Sequence, residues 1–169
     1  MYKTRNTSQF GFDLVRRVGT GASADVWQAT HRMSARSVAL KVFSLTRRNR
    51  TDVEDFLRET RLVARAAHQN ILQVYGYGRS EHEVRHDSKV VIKPGQLYLV
   101  SEYVEGGSLK SKLGALEWTE IQSILMGLLN GLARVHARGI VHLDLKPENI
   151  LCSPRGPLIC DFGIATPKR

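Results

Sequence analysis

Residues 142–149 read His142-Leu143-Asp144-Leu145-Lys146-Pro147-Glu148-Asn149, "HLDLKPEN". Between the apolar flanks "RGIV" and "ILC", this stretch sets an acid, a base and an amide within six residues. A carboxylate near a core stays ionised only where a cation or hydrogen-bond donors compensate its lost hydration. Asp144, Lys146 and Asn149, placed so close to what reads as core, point to a functional constellation rather than to packing.

Working downstream, "NILC" and "PLIC" flank "SPRGP". The spacing predicts a small hairpin whose prolines lie in its loop. Asp161, in "CDFG", follows Asn149 by 12 residues across that hairpin. A carboxylate and an amide oxygen brought together there suit Mg²⁺, a hard ion that takes oxygen ligands and keeps waters and phosphates for the rest. With such a metal at Asn149 and Asp161, Asp144 is placed to accept a hydroxyl proton and Lys146 to balance charge on a migrating phosphoryl group.

Upstream, "WTEIQSILMGLLNGLARVHARG" repeats apolar residues at Ile121, Ile124, Leu125, Leu128, Leu132 and Val135. That period predicts a helix over 119–137, with Thr119 and Gln122 in capping-box spacing and Gly139 as its stop. "GGS" at 106–108 punctuates the chain, and a short helix is expected from Ser108.

The first hundred residues read as sheet. "FDLVRRVGTGASADVWQAT" looks like two extended pieces joined through a glycine-bearing turn, "SVALKVFS" like a third strand, and "ILQVYGYG" and "QLYLVSEYV" like two more. Between the third and fourth, "TDVEDFLRETRLVARAAH" predicts a helix opened by Thr51 and Glu54. Helical spacing puts the Glu59 carboxylate on that helix's apolar face, where it needs a cation. The period of two puts Lys41 on the face shared by Ala39 and Phe43, away from open solvent. A Lys41–Glu59 ion pair answers both requirements.

At 169 residues, 42% hydrophobic and 24% charged, the chain has the composition of a globular protein with one domain or two small lobes. The net charge of +9 is uneven: residues 1–50 carry ten Lys/Arg against two Asp, and residues 51–169 fifteen against fourteen acids. "TRRNR" lacks interleaved aromatics and base-reading motifs, so a solvated basic face is expected and no nucleic-acid partner. With neither a secretory signal nor 18 consecutive apolar residues, no membrane partner and a cytoplasmic location are expected, with Cys152 and Cys160 reduced core residues.

Two motifs compete with the phosphoryl-transfer reading. His82-Glu83-Val84-Arg85-His86 matches the zinc-protease pattern H-E-x-x-H. That chemistry needs both imidazoles on one packed helix, whereas only Val84 and Val90 are apolar between Arg79 and Val90, so a solvated loop is expected. "GTGASA" at 19–24 is not a dinucleotide fingerprint, since it continues as strand and no acid stands between residues 26 and 51. A glycine-bearing hairpin over phosphates fits it better.

Taken in order, these motifs resemble a eukaryotic-like (Hanks-type) serine/threonine protein kinase. The resemblance implies an α+β fold: a five-stranded antiparallel N-lobe sheet with one helix, then an incomplete, mainly helical C-lobe. Residues 1–11 would be an N-terminal extension, 12–104 the N-lobe and hinge, and 105–169 the partial C-lobe. It further implies ATP and Mg²⁺ as cofactors and protein Ser/Thr as substrate. "GTGASADV" is similar to the Gly-rich loop, with Ala24 in place of the third glycine. Lys41 would hold the α- and β-phosphates and pair with Glu59. "SEYVEGGSL" looks like the hinge, with Ser101 as a small gatekeeper, backbone groups of Glu102 and Val104 for adenine, and Ser108 near ribose. Val18, Gly19, Gly21, Val26, Ala39 and Leu151 complete the nucleotide-binding positions. "HLDLKPEN" is similar to the catalytic loop, with Asp144 and Lys146 catalytic, and "DFG" to the magnesium motif, with Asn149 and Asp161 as ligands.

Two departures stand out. Leu143 occupies the position where the family usually has an arginine that grips an activation-segment phosphate, and leucine cannot form that bond. "GIATPKR" stops where an activation segment would begin. The resemblance therefore leads us to expect a truncated kinase in which the 119–137 helix exposes four or five Ile or Leu. Each such side chain forgoes about 1.5–3 kcal/mol, so either poor stability of the chain alone or a partner covering that face is expected. The alternatives are a non-catalytic, pseudokinase-like nucleotide-binding module and an aminoglycoside-type small-molecule phosphotransferase, which shares the Asp, Asn and later Asp.

Overall fold

The computed structural model describes residues 11–21, 23–44, 60, 64 and 66–162. The chain divides into two compact units, Met1–Asn49 with Tyr75–Tyr103 and Arg50–Val74 with Val104–Arg169.

The first unit is built on a five-stranded sheet in the order β1-β2-β3-β7-β4. Its strands are β1 (Phe12–Thr20), β2 (Ala24–His31), β3 (Ser37–Phe43), β4 (Val74–Arg79) and β7 (Leu97–Glu102). The β1–β2, β2–β3 and β3–β7 pairs are antiparallel. Alternation sorts the side chains: Val38, Leu40 and Val42 of β3 join Trp27, Ala29 and Val100 in the core on one face. The other face carries Val26, Lys41 and Leu99 opposite one another, and next to them Gln28, Ala39 and Ser101.

The polar stretch after β4 departs from the expected loop. It forms a second hairpin, β5 (Val84–His86) with β6 (Lys89–Ile92). Asp87 and Ser88 take positive φ of 47° and 64°, the conformation a tight two-residue hairpin turn requires. Val84 and Ile92, both fully buried, pack into the same core as Trp27 and Leu40. The hairpin therefore forms through packing rather than through an alternating sequence. The H-E-x-x-H match runs through a strand, so the helical spacing that would place His82 and His86 on one metal does not exist; His86 instead meets Trp27 edge-on, 5.1 Å between ring centroids.

In the second unit, α1 (Trp118–His136) packs on the hairpin of β8 (Ile150–Ser153) and β9 (Gly156–Ile159). The helix is capped by Glu117 rather than Thr119: the Glu120 carboxylate accepts the Glu117 N–H at 2.9 Å, shifting the capping box two residues upstream. Its end follows the expected stop. Gly139 has φ +69°, its N–H bonds the His136 carbonyl at 2.9 Å, and the Ile140 N–H bonds that of Val135 at 3.0 Å. Leu128 and Val135 are buried and Ile121, Ile124 and Leu132 partly so, whereas Leu125 is exposed together with Trp118, Met126 and Leu129.

A second correction concerns Pro157, which lies inside β9 opposite Cys152 rather than in the turn. The Cys152 N–H points away from β9, to the Gly107 carbonyl at 2.9 Å. That pair exchanges no hydrogen bonds, so the missing proline N–H costs nothing. Cys160 is buried and Cys152 half-buried, and neither forms a disulfide. No helix among the described residues is long and apolar enough to cross a membrane.

Candidate active site

The loop between α1 and β8 is anchored at both ends by buried polar side chains. His142 is buried, and its Nε2 lies 2.7 Å from the Cys160 carbonyl oxygen while its Nδ1 lies 3.3 Å from the Asp144 backbone N. A carbonyl only accepts, so Nε2 carries the proton and Nδ1 accepts from Asp144. The ring also packs against Phe162, 4.7 Å between centroids. Leu143, between these anchors, takes a left-handed φ of +64° with its side chain exposed. The strain of holding a leucine there is sustained by the bonds on either side.

Three of the expected residues converge here. The Lys146 Nζ lies 2.6 Å from Asp144 Oδ2, and the buried Asn149 amide donates to the same oxygen at 3.0 Å and to the Asp144 carbonyl at 2.8 Å. The hydrogen bond from Lys146 holds the Asp144 carboxyl below its ordinary range, with the Asn149 amide adding to the effect. The same bond holds Lys146 above its ordinary value, and the Asp161 carboxylate contributes. Glu148 is likewise lowered, first by its hydrogen bond to Lys110 in the 3-10 turn Leu109–Lys112, 2.8 Å away.

Asn149 and Asp161 sit at the open end of the β8–β9 hairpin. Ile150 pairs with Ile159, and the Cys160 N–H continues the ladder to the Asn149 carbonyl at 2.9 Å. With both amide protons of Asn149 donated to Asp144, its Oδ1 is left as an acceptor. That amide oxygen and the exposed Asp161 carboxylate are both hard oxygens, the donor type Mg²⁺ takes. Ser108 and Leu151 are also brought together, as an antiparallel bridge. Val104 is half-buried in this unit.

In the first unit, register aligns the other candidates. Gly19 pairs with Val26, Val26 with Lys41, and Ala39 with Ser101. Val18 is the extra residue of an irregularity between Arg17 and Gly19, and is partly exposed. The Gly21 N–H closes the turn on the Ala24 carbonyl at 3.0 Å. The Ser101 hydroxyl is buried and donates to the Glu102 carbonyl at 3.3 Å. Lys41 is half-buried, with Nζ 5.6 Å from the centroid of the Phe43 ring. Glu59, and with it the expected Lys41–Glu59 ion pair, lies outside the described residues.

Sequence reasoning passed over Asn70. Its backbone carbonyl accepts from the Ile159 N–H at 2.9 Å and its side chain donates to the Pro157 carbonyl at 3.0 Å, fixing β9 from beneath. A buried asparagine ahead of an apolar pair, "NIL", is the signal that was available.

Residues 12–168 match the family described as protein kinase domain. The chain is 35% identical over 162 residues to the probable serine/threonine-protein kinase pknA2 of Bifidobacterium longum, covering 91% of this chain and 20% of that protein. It is 31% identical over 160 residues to the serine/threonine-protein kinase PrkC of Bacillus subtilis, covering 92% and 23%. Against the dual specificity testis-specific protein kinase 1 of Mus musculus it is 32% identical over 161 residues, covering 91% and 23%. The chain belongs to the protein kinase family, with serine/threonine kinases among its relatives. It spans about a fifth to a quarter of the length of these three relatives.

Proposed function

We propose that this chain carries ATP- and Mg²⁺-dependent phosphoryl transfer to serine or threonine hydroxyls of protein substrates. The observation that carries the reading is the Asp144 carboxylate oxygen held between Lys146 at 2.6 Å and Asn149 at 3.0 Å. Kept ionised by these donors, Asp144 accepts a hydrogen bond from the incoming hydroxyl and orients its oxygen for in-line attack. Lys146, already charged, stabilises the oxygens of the phosphoryl group in transit. Bound with the nucleotide, Mg²⁺ would neutralise phosphate charge, and Asn149 and Asp161 are the residues that would hold it. On the sheet, Val18, Val26, Ala39 and Ser101 would contact the base, Glu102 would bond it through its backbone, and Lys41 would meet the phosphates, with Glu59 positioning Lys41. Val104, Ser108 and Leu151 would complete the nucleotide contacts, and Gly19 and Gly21 would let backbone approach the phosphates.

The test is a titration of Mg·ATP into the full chain and into Asp161→Ala, read by melting temperature, with transfer to a generic basic protein measured in parallel. A rise in melting temperature that Asp161→Ala reduces, together with transfer that Asp144→Asn abolishes, supports the reading. Stabilisation without transfer means a nucleotide-binding module instead, and no response to Mg·ATP overturns both.

A further inference from the structure

On the face of the sheet that carries Lys41, one polar chain crosses from strand to strand. Arg16 of β1 donates from Nε to Gln28 Oε1 at 2.9 Å and from Nη2 to the Tyr103 hydroxyl at 2.9 Å. Gln28 passes the connection to the Ser37 hydroxyl at 3.3 Å. Arg16 pairs with Gln28, Gln28 with Ala39, and Ala39 with Ser101, so the row shares one face. Tyr103 directly follows Glu102, the last residue of β7, and two strands separate β7 from β1. Strands are spaced by about 4.8 Å, so the arginine and tyrosine side chains together arch over about 14 Å. An exposed arginine usually turns to a carboxylate; here the guanidinium makes no ion pair among the described residues and bonds two neutral oxygens instead.

We infer that Arg16 is a positioning residue for the nucleotide base. By holding the Tyr103 phenol, it fixes the backbone on either side, Glu102 and Val104, against the edge strand β1, and so sets where the base can be hydrogen-bonded. The inference rests on the proposed nucleotide reading and adds to it a determinant in β1, outside the glycine turn. Its effect is confined to the base: the phosphates interact with other groups, so losing the arch weakens a nucleotide and leaves a bare polyphosphate unaffected.

The test compares wild type, Arg16→Met, Arg16→Lys, Tyr103→Phe and the Arg16→Met/Tyr103→Phe double variant by titration calorimetry with Mg·ATP and with Mg·tripolyphosphate. Arg16→Met and Tyr103→Phe are each expected to weaken ATP by about three- to tenfold, the worth of one such hydrogen bond. The double variant should be no weaker than either, Arg16→Lys should recover part of the loss, and tripolyphosphate binding should not change. Unchanged ATP affinity, additive losses, or an equal loss for tripolyphosphate overturns the inference. If the wild-type chain binds neither probe, the nucleotide reading fails on its own. The arch is then decided by amide hydrogen exchange at Tyr103 and Val104 in the unliganded chain: faster exchange in both single variants supports the positioning role, and unchanged exchange overturns it.

Discussion

The loop of residues 142–149 and the hairpin that follows Ser80 both read as polar sequence, yet opposite forces hold them. In the loop, donors and acceptors do the holding: His142 bridges Cys160 and Asp144, and Asn149 closes on Asp144 twice. In the hairpin apolar side chains do it: Val84 and Ile92 are buried in the core of the sheet and Val91 packs against it. A polar network fixes the angle and distance of a carboxylate, which transfer chemistry needs. Apolar packing fixes only position, which is sufficient to cover a core.

This contrast can be broken or sharpened experimentally. The largest effect is expected in the loop: Asp144→Asn should lower phosphoryl transfer by about 10²- to 10⁴-fold while the melting temperature falls only slightly, checked by steady-state kinetics and calorimetry. A loss of transfer matched by a loss of fold would mean that the loop is structural. Next comes Ile92→Ala, expected to cost about 2–5 kcal/mol in urea unfolding, with Mg·ATP affinity per folded molecule unchanged. Were Arg85→Ala to cost as much, the packing account of the hairpin would be wrong. Arg85 pairs with Glu83 at 2.7 Å on the surface, so that substitution is expected to cost under about 1 kcal/mol.

The smallest effect concerns pH. The Asp144 carboxyl is lowered by its Lys146 hydrogen bond, so its contribution is present above the ordinary carboxylate range and lost as pH falls through the folded value. Lys146 is raised, so its contribution is present below the ordinary lysine value and lost only as pH rises beyond the folded one. The gap in urea midpoint between wild type and Asp144→Asn should therefore be flat between about pH 5 and 9 and narrow below about pH 4. A gap that moves near neutrality would assign the loop's stability to another group.

What the sequence disclosed follows from which forces are local. The strand pattern of "SVALKVF" and the stop at Gly139 depend on neighbours along the chain, and both are found where alternation and glycine chemistry put them. Asp144, Lys146 and Asn149 were legible as a constellation because an acid, a base and an amide crowd together between apolar flanks; that they bond one another was not, because those contacts are set by the folded loop. The β5–β6 hairpin was not legible, because the surfaces that stabilise Val84 and Ile92 come from Trp27 and Leu40, far away in sequence. The true cap of α1 was missed because glutamate is a less usual N-cap than the threonine two residues on. Pro157 was assigned to a turn because the direction of the Cys152 N–H, which makes a strand proline harmless, is set by Gly107.

Gly127 and Gly131 give the second unit a particular vulnerability. They stand one helical turn apart where α1 crosses β9; a methyl on the first would come within 2.6 Å of the Pro157 ring, and one on the second within 3.0 Å of the Asn70 carbonyl oxygen. Each glycine lowers the intrinsic helicity of α1 by about 1 kcal/mol relative to alanine. Alanine, elsewhere the safest helical replacement, is thus the wrong repair at this seam. Because β9 runs directly into Cys160 and Asp161, a shim of one carbon here would be felt at the far end of the strand, among the very oxygens assigned to the metal.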